Sequence, residues 1–198
     1  MTTLKINYKD MKKLKVLIPT DFSVQAEYAY LMVKRLEEKL PMEVHFLHIM
    51  NVPDTVSMDD NGHIQTCGEI DVRYVERQRD IAVRQMNSLT SQYGEEVTTH
   101  IRLGKTTEGI LDFSEKANVD LIVMGTRGVS GMEEFFIGSN TEKVIRRVNC
   151  PVLAIPAPVE SFKRIVFPTT LKNDQIGAFS AFAGLQDIFD GEVVLLYL

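Results

Sequence analysis

Tryptophan is absent from this chain of 198 residues, and cysteine occurs only twice, at Cys67 and Cys150. Two cysteines are too few for a disulfide framework, and they lack the spacing of a metal site. No apolar run is long enough to cross a membrane, and no apolar signal core follows the polar segment 1–13. We therefore expect a reduced, cytoplasmic protein that makes no use of a membrane.

Charge is also modest, because the formal net charge is −5 and charged residues make up 25% of the chain. A chain with this balance is not a general binder of nucleic acids or acidic membranes. The hydrophobic share of 44% is typical of a globular protein. Two phosphate-binding signatures are missing, G-x4-G-K-[ST] and G-x-G-x-x-G after the first strand. Their absence argues against a P-loop ATPase and a dinucleotide oxidoreductase.

The chain does contain a regular alternation of short apolar runs and amphipathic segments. Short continuous apolar runs are typical of strands buried on both faces, and apolar residues spaced three and four apart indicate helices. This order predicts an α/β fold with an open parallel five-stranded sheet, helices on both faces and a ligand site beyond the carboxyl ends of the strands. The predicted strands span 14–18, 44–50, 97–103, 121–124 and 152–155, the helices 26–40, 70–92, 107–118 and 139–149, and a loop 51–68.

The end of the chain repeats its beginning, since residues 15–49 align with residues 164–198 without a gap. Seven identities and a matched strand-helix-strand pattern suggest a duplicated unit. We therefore divide the chain into a first domain over 1–156, a linker over 157–162 and a partial second domain over 163–198. Such a β-α-β piece packs on the first domain, packs on a partner chain or belongs to a truncated tandem, the interpretation we favour. The identical pairs are Pro19 and Pro168, Thr20 and Thr169, Ala29 and Ala178, Leu36 and Leu185, Glu43 and Glu192, Val44 and Val193, and Leu47 and Leu196.

The segment most informative about function follows the fourth predicted strand. It reads Gly125-Thr126-Arg127-Gly128, then nine residues, then Gly138-Ser139. Glycines let backbone N–H groups approach a ligand, and the first turn of a helix presents unpaired N–H groups with a partial positive charge. Together these features are typical of a phosphate site. A structural alternative stays open, because Ser139 and Glu142 also match the capping box S-x-x-E.

This segment resembles the nucleotide loop G-x2-G-x9-G-[ST] of the ATP-binding universal stress proteins. Residues 16–23 (VLIPTDFS) are similar to the first strand and loop of that family, and residues 141–153 are similar to its closing helix and strand. The resemblance covers about 12–156 and implies a Rossmann-like, adenine nucleotide α-hydrolase-like sheet of strand order 3-2-1-4-5. The nucleotide-binding residues that it implies are Pro19, Thr20, Asp21, Ile49, Met124, Gly125, Arg127, Gly128, Gly138, Ser139, Asn140 and Thr141.

The resemblance further implies ATP as ligand, with Mg²⁺ or Mn²⁺ held through its phosphates, and a homodimer formed through the closing strand, Val152–Ile155. The expected function is that of a regulatory nucleotide binder in a stress response. Asn140 departs from the family pattern, which has an apolar residue there. Two alternatives remain open: a slow ATPase at the same site, with Asp21 as the nearby carboxylate, and a dimeric interaction module that binds no nucleotide.

The remaining candidates are weaker. His45 and His48 are expected to share one face of the second strand, but no third ligand has suitable spacing, so we predict no protein metal site. In the repeated unit Thr170 replaces the aspartate that corresponds to Asp21, and no glycine loop follows. The second unit alone is therefore not expected to form a complete site.

Overall fold

The computed structural model describes residues 13–59, 61–66, 71–94, 97–126, 137–172, 175–189 and 191–198. Its elements alternate between strands and helices, as the sequence predicts. In chain order they are β1 (Leu14–Pro19), α1 (Val24–Glu37), β2 (Met42–Met50), β3 (Val56–Met58), β4 (Ile64–Thr66), α2 (Val72–Tyr93), β5 (Thr98–Leu103), α3 (Thr106–Lys116), β6 (Leu121–Gly125), α4 (Ser139–Arg147), β7 (Val152–Ile155), β8 (Arg164–Thr169), α5 (Ile176–Phe189) and β9 (Glu192–Tyr197).

Five strands form a parallel sheet of order β5-β2-β1-β6-β7. Counted along the sheet's own strands this is 3-2-1-4-5, so the predicted fold is confirmed. The strand order reverses between β1 and β6, and at such a point the loops beyond the carboxyl ends diverge and leave a crevice.

The core lies on both faces of this sheet. Val16, Leu17 and Ile18 of β1 are all 0% exposed, which explains why the strand reads as a continuous apolar run. α1 and α2 cover one face, where Tyr30 packs with Phe46, and α3 and α4 cover the other, against Leu17. Each such side chain contributes about 1.5–3 kcal/mol when it is fully buried. The sheet is therefore a rigid support for its carboxyl edge.

The four helices that flank the sheet begin in two different ways. Ser23 caps α1 by accepting a hydrogen bond from the N–H of Ala26 at 3.2 Å, and Asp71 caps α2 through the N–H of Arg73 at 2.9 Å. α3 and α4 begin after Lys105 and Gly138 without any side-chain cap. Ser139 is therefore the first residue inside α4, and the capping-box alternative is wrong.

Two further details differ from the sequence-based expectation. Residues 51–68, predicted as a loop, contain the antiparallel hairpin β3–β4, whose turn forms because Asp59 Oδ1 accepts from the N–H groups of Asn61 and His63, both at 2.9 Å. His45 and His48 lie on opposite faces of β2, because they are three positions apart and strand side chains alternate. His45 contacts His100 near α3, whereas His48 contacts Phe22 before α1.

β8, α5 and β9 form a small unit in which the two strands pair in parallel. The turn after β8 repeats the turn after β1. Phe22 has φ 62° and donates its N–H to Thr20 Oγ1 at 3.0 Å, and Leu171, 149 positions later, has φ 56° and donates to Thr169 Oγ1 at 3.0 Å. The aligned segments therefore fold alike, although the second has Leu171 where the first has Phe22.

Candidate functional site

A cavity of about 380 Å³ opens at the carboxyl edge of the sheet, between the ends of β1, β2 and β6 and the first turns of α3 and α4. It brings together every predicted site residue that the structure describes. Arg127 and Gly128, which were also predicted, lie outside the described residues. The predicted residues that line the cavity are Pro19, Thr20, Asp21, Ile49, Met124, Gly125, Gly138, Ser139, Asn140 and Thr141.

The cavity also has lining residues that the sequence reasoning missed. Thr106 stands at the start of α3, Ile110 one turn further on, His48 near the end of β2 and Thr126 directly after β6. A signal for Thr106 was present, because the loop after the third predicted strand ends on the same sheet edge as the other loops.

Two hydrogen bonds fix the loop after β1, one to the neighbouring strand β2 and one within the loop. The N–H of Thr20 donates to the carbonyl of Leu47 at 2.9 Å, and the N–H of Ser23 donates to Asp21 Oδ1 at 3.0 Å. One carboxylate oxygen of Asp21 is thus used inside the loop. Of the described residues that line the cavity, Asp21 is the one with a carboxyl side chain.

His48 fixes the same loop from the neighbouring strand. Its Nδ1 lies 2.8 Å from the carbonyl oxygen of Thr20, which can only accept, so Nδ1 carries the proton. Burial lowers the pKa of His48 below 6.5, although the Thr20 carbonyl and the Asp21 charge oppose that shift. The neutral ring therefore has Nε2 as its hydrogen-bond acceptor at neutral pH, on a residue that lines the cavity.

The end of β6 is tied directly to the start of α4. Thr141 Oγ1 donates to the carbonyl of Gly125 at 3.0 Å, and the N–H of Gly138 donates to the carbonyl of Thr126 at 2.5 Å. The amide of Gly138, which the sequence suggested for a phosphate, is therefore occupied by a protein carbonyl. Three amides of the first turn differ from it. Those of Ser139, Asn140 and Thr141 have no acceptor among the described residues.

The first turns of α3 and α4 lie side by side at the cavity. Thr107 Oγ1 of α3 is 3.5 Å from Asn140 Oδ1 of α4, at the limit of a hydrogen bond. Neither helix has a side-chain cap among the described residues, so N–H groups in both first turns have no partner there, and the positive ends of both helix dipoles lie at the cavity. Ile49, Ile110 and Met124 also line the cavity and provide an apolar part of its wall.

The structure gives a packing reason for a glycine at position 125, whereas the sequence suggested the approach of a ligand. A Cβ at this position would lie 2.5 Å from the backbone oxygen of Gln25, in the first turn of α1. The glycine thus permits close packing of α1 on β6, and it lines the cavity as well. Gly138 has φ −56°, which any residue can adopt, so no left-handed backbone requires a glycine there.

Within the described part of the chain, no three acidic, histidine or cysteine side chains lie close enough to hold a metal ion. Over the same residues, no helix combines the length and the apolar character that crossing a membrane requires.

Comparison with known proteins identifies the family. The model of the universal stress protein family matches residues 14–156. Two universal stress proteins of Methanocaldococcus jannaschii, MJ0531 and MJ0577, are 28% and 30% identical to this chain, over 73% and 71% of it and 82% and 93% of their own lengths. The solved structure of MJ0577 matches with a TM-score of 0.56 and 29% identity, over 73% of this chain and 96% of that one. UspA from Lactobacillus plantarum shares the fold at 18% identity and a TM-score of 0.54, over 74% of this chain and 99% of its own. The chain therefore belongs to the universal stress protein family.

Proposed function

We propose that this protein binds ATP in the cavity at the carboxyl edge and acts as a regulatory nucleotide binder. The observation that carries the proposal is the pairing of two uncapped helix starts with an apolar wall in one cavity. Helix starts without caps attract anions, and an apolar wall suits a flat base. The cavity of about 380 Å³ thus offers helix starts for the phosphates of a nucleotide and an apolar wall for its base.

The described residues match both parts of such a ligand, its phosphates and its nucleoside. The N–H groups of Ser139, Asn140 and Thr141 have no acceptor in the described part of the chain, and they suit phosphate oxygens, with the helix dipole in support. Ile49 and Met124 provide the apolar surface for the base, and the second oxygen of Asp21 suits a hydroxyl donor of the nucleoside. No acidic cluster for a metal occurs among the described residues, so Mg²⁺ or Mn²⁺ would be held through the phosphates.

We further propose that two chains pair through β7. This strand is at an edge of the five-stranded sheet, with β6 as its neighbour there, and an edge presents backbone groups for pairing with another chain.

The duplicated β-α-β unit supports a tandem origin for the chain, in which residues 163–198 are the start of a second domain. The free thiol of Cys150 suits the reducing conditions of the cytoplasm.

Isothermal titration calorimetry with ATP and Mg²⁺ tests the nucleotide proposal. The informative variant is Asn140→Asp, because a carboxylate at the start of α4 favours the helix but repels a phosphate. We expect the variant to unfold at the same urea concentration as the wild type or a higher one, and to lose ATP binding by tenfold or more, on the order of 1.4 kcal/mol.

Asn87→Asp is the matched control, since it adds the same charge to an exposed position of α2, away from the cavity. It should bind ATP as the wild type does. Wild-type protein that binds no ATP at millimolar concentration, or an Asn140→Asp variant that binds it unchanged, would refute the proposal. Adenosine should still bind weakly to both variants, because it lacks the phosphates.

A further inference from the structure

A second cavity, the α1–α2 cavity, has a volume of about 240 Å³ and is lined by α1, α2 and the middle of β2. Glu27 and Tyr30 line it from α1, and Gln85, Ser88 and Gln92 line it from α2. Residues three, four or seven positions apart lie on one side of a helix, so each helix turns one stripe to this space. Pockets for drug-sized ligands measure about 300–1,000 Å³, so this cavity suits a smaller molecule.

Four of the side chains that line the α1–α2 cavity are aromatic, namely Phe22, Tyr30, Phe46 and Tyr93. The ring centroid of Phe46 is 5.4 Å from that of Tyr30 and 6.1 Å from that of Tyr93, so these three rings form one cluster. The face of an aromatic ring attracts cations. Tyr30 already has such a contact, since Nζ of Lys34, which does not line the cavity, lies 5.6 Å from its ring centroid. The cluster therefore suits a ligand that combines an apolar body with a positive charge.

One carboxyl group lines the α1–α2 cavity, that of Glu27, and the described lining residues include no lysine or arginine. The hydroxyl of Tyr93 donates to Glu27 Oε1 at 3.3 Å, and the other carboxylate oxygen has no partner in the part of the chain that the structure describes. Burial and the Glu27 charge raise the pKa of Tyr93 to about 12, so this hydroxyl stays protonated. One oxygen of Glu27 is thus available to a cationic donor in the cavity.

The hydroxyl of Tyr30 also lacks a partner. Tyr30 is 1% exposed, and of the described residues it has the one buried side-chain polar atom without a hydrogen bond. An unpaired buried hydroxyl is costly, so most such groups in native proteins have a partner. Tyr30 lines the α1–α2 cavity three positions after Glu27, on the same side of α1. A ligand in this cavity is therefore placed to supply the missing partner.

We propose that the α1–α2 cavity binds a small protonated primary amine with a short aliphatic chain. The ammonium group donates to the second carboxylate oxygen of Glu27 and to the hydroxyl oxygen of Tyr30, and the chain lies against the rings of Phe46 and Tyr93. Thr20 and Ala26 line this cavity and the cavity at the carboxyl edge, but Glu27 and Tyr30 line only this one of the two. Binding of the amine is therefore independent of whether the other cavity binds a nucleotide.

Nuclear magnetic resonance titration of the ¹⁵N-labelled full chain tests the proposal at pH 7, with no nucleotide added. The probe is n-butylamine, and the matched control is n-butanol, which has the same length and shape but no charge. n-Butylamine should give saturable shifts of α1 and α2 amides and bind about tenfold more tightly than n-butanol, because hydrogen bonds between charged groups are the stronger ones. Absence of saturable shifts at millimolar n-butylamine, or equal affinity for the two probes, would overturn the proposal.

Two variants test the contacts themselves. Glu27→Gln keeps an acceptor for Tyr93 but removes the charge, and it should bind n-butylamine about tenfold more weakly. Its matched control is Glu38→Gln, at an exposed position that follows α1, which should bind as the wild type does. Circular dichroism confirms that each variant folds.

Tyr30→Phe should also bind n-butylamine more weakly, yet it should unfold at the same urea concentration as the wild type or a higher one. The reason is that the hydroxyl it removes has no partner in the free protein. The proposal fails if Glu27→Gln binds n-butylamine as tightly as the wild type. It fails equally if Tyr30→Phe unfolds at a lower urea concentration, since the hydroxyl would then already be paired within the chain.

Discussion

Adding one methyl group at Gly125 should separate α1 from the sheet. In Gly125→Ala the new Cβ would lie 2.5 Å from the backbone oxygen of Gln25 and 2.7 Å from its carbonyl carbon. Backbone atoms of a helix cannot rotate away, so the whole first turn of α1 has to move off β6. Overpacking of this kind costs about 1–3 kcal/mol of the free energy of unfolding.

Gly109→Ala is the matched comparison, because it adds the same methyl group against a movable neighbour. Its Cβ would lie 2.6 Å from Cδ1 of Ile49, the far end of a flexible side chain. Turning that side chain costs about 0.5–1.5 kcal/mol, while alanine inside α3 gains roughly 1 kcal/mol over glycine. The two effects nearly cancel, so stability should stay close to that of the wild type.

Equilibrium unfolding in urea, followed by far-ultraviolet circular dichroism, measures both variants. The difference between them should be about 1–3 kcal/mol in favour of Gly109→Ala. A Gly125→Ala protein as stable as the wild type would show that α1 does not pack on β6 as tightly as described. In Gly109→Ala the displaced Ile49 should also narrow the cavity, so ATP binding should weaken while the fold stays intact.

Three further predictions concern single contacts. Burial and the neighbouring His45 and Arg102 lower the pKa of His100 below 6.5. The stabilisation that the neutral ring provides is therefore present above pH 6.5 and is lost as the pH falls. Urea titrations from pH 7 to 5 should show a smaller loss of stability in His100→Gln than in the wild type. Asp71→Ala removes the cap of α2 and should cost about 1 kcal/mol in urea, with ATP affinity unchanged. Thr141→Val keeps the shape but leaves the Gly125 carbonyl without its donor, which should cost about 1–3 kcal/mol in the same assay.

The main sheet could be predicted because its two central strands, β1 and β6, are short apolar runs that are buried on both faces. Strand β1 shows this best, since Val16 to Ile18 are fully buried. The hairpin β3–β4 was missed because its two strands have three residues each, too few to show a period. Its turn depends on Asp59, whose side chain accepts two backbone hydrogen bonds that composition alone does not reveal.

The location of the candidate site was predictable, but the roles of its glycines were not. The sequence shows that Gly125 and Gly138 flank the β6–α4 connection, and the cavity is found there. It does not show that Gly125 faces Gln25 of α1, or that the amide of Gly138 meets the Thr126 carbonyl, because both neighbours are set by packing. Thr106 was missed for a similar reason, since only the crossover of α3 brings it beside α4.

The position of β1 at the centre of the sheet has a consequence for synthesis on the ribosome. β1 pairs with β2 soon after both emerge, but its other edge pairs with β6, and the contact of Lys15 with Asp120 joins residues 105 positions apart. At about 5–20 residues per second, that edge stays without its native neighbour for roughly 5–20 s. During this interval the nascent chain exposes an apolar strand edge, so chaperone contact or slow translation should matter most while β5 and α3 are being made.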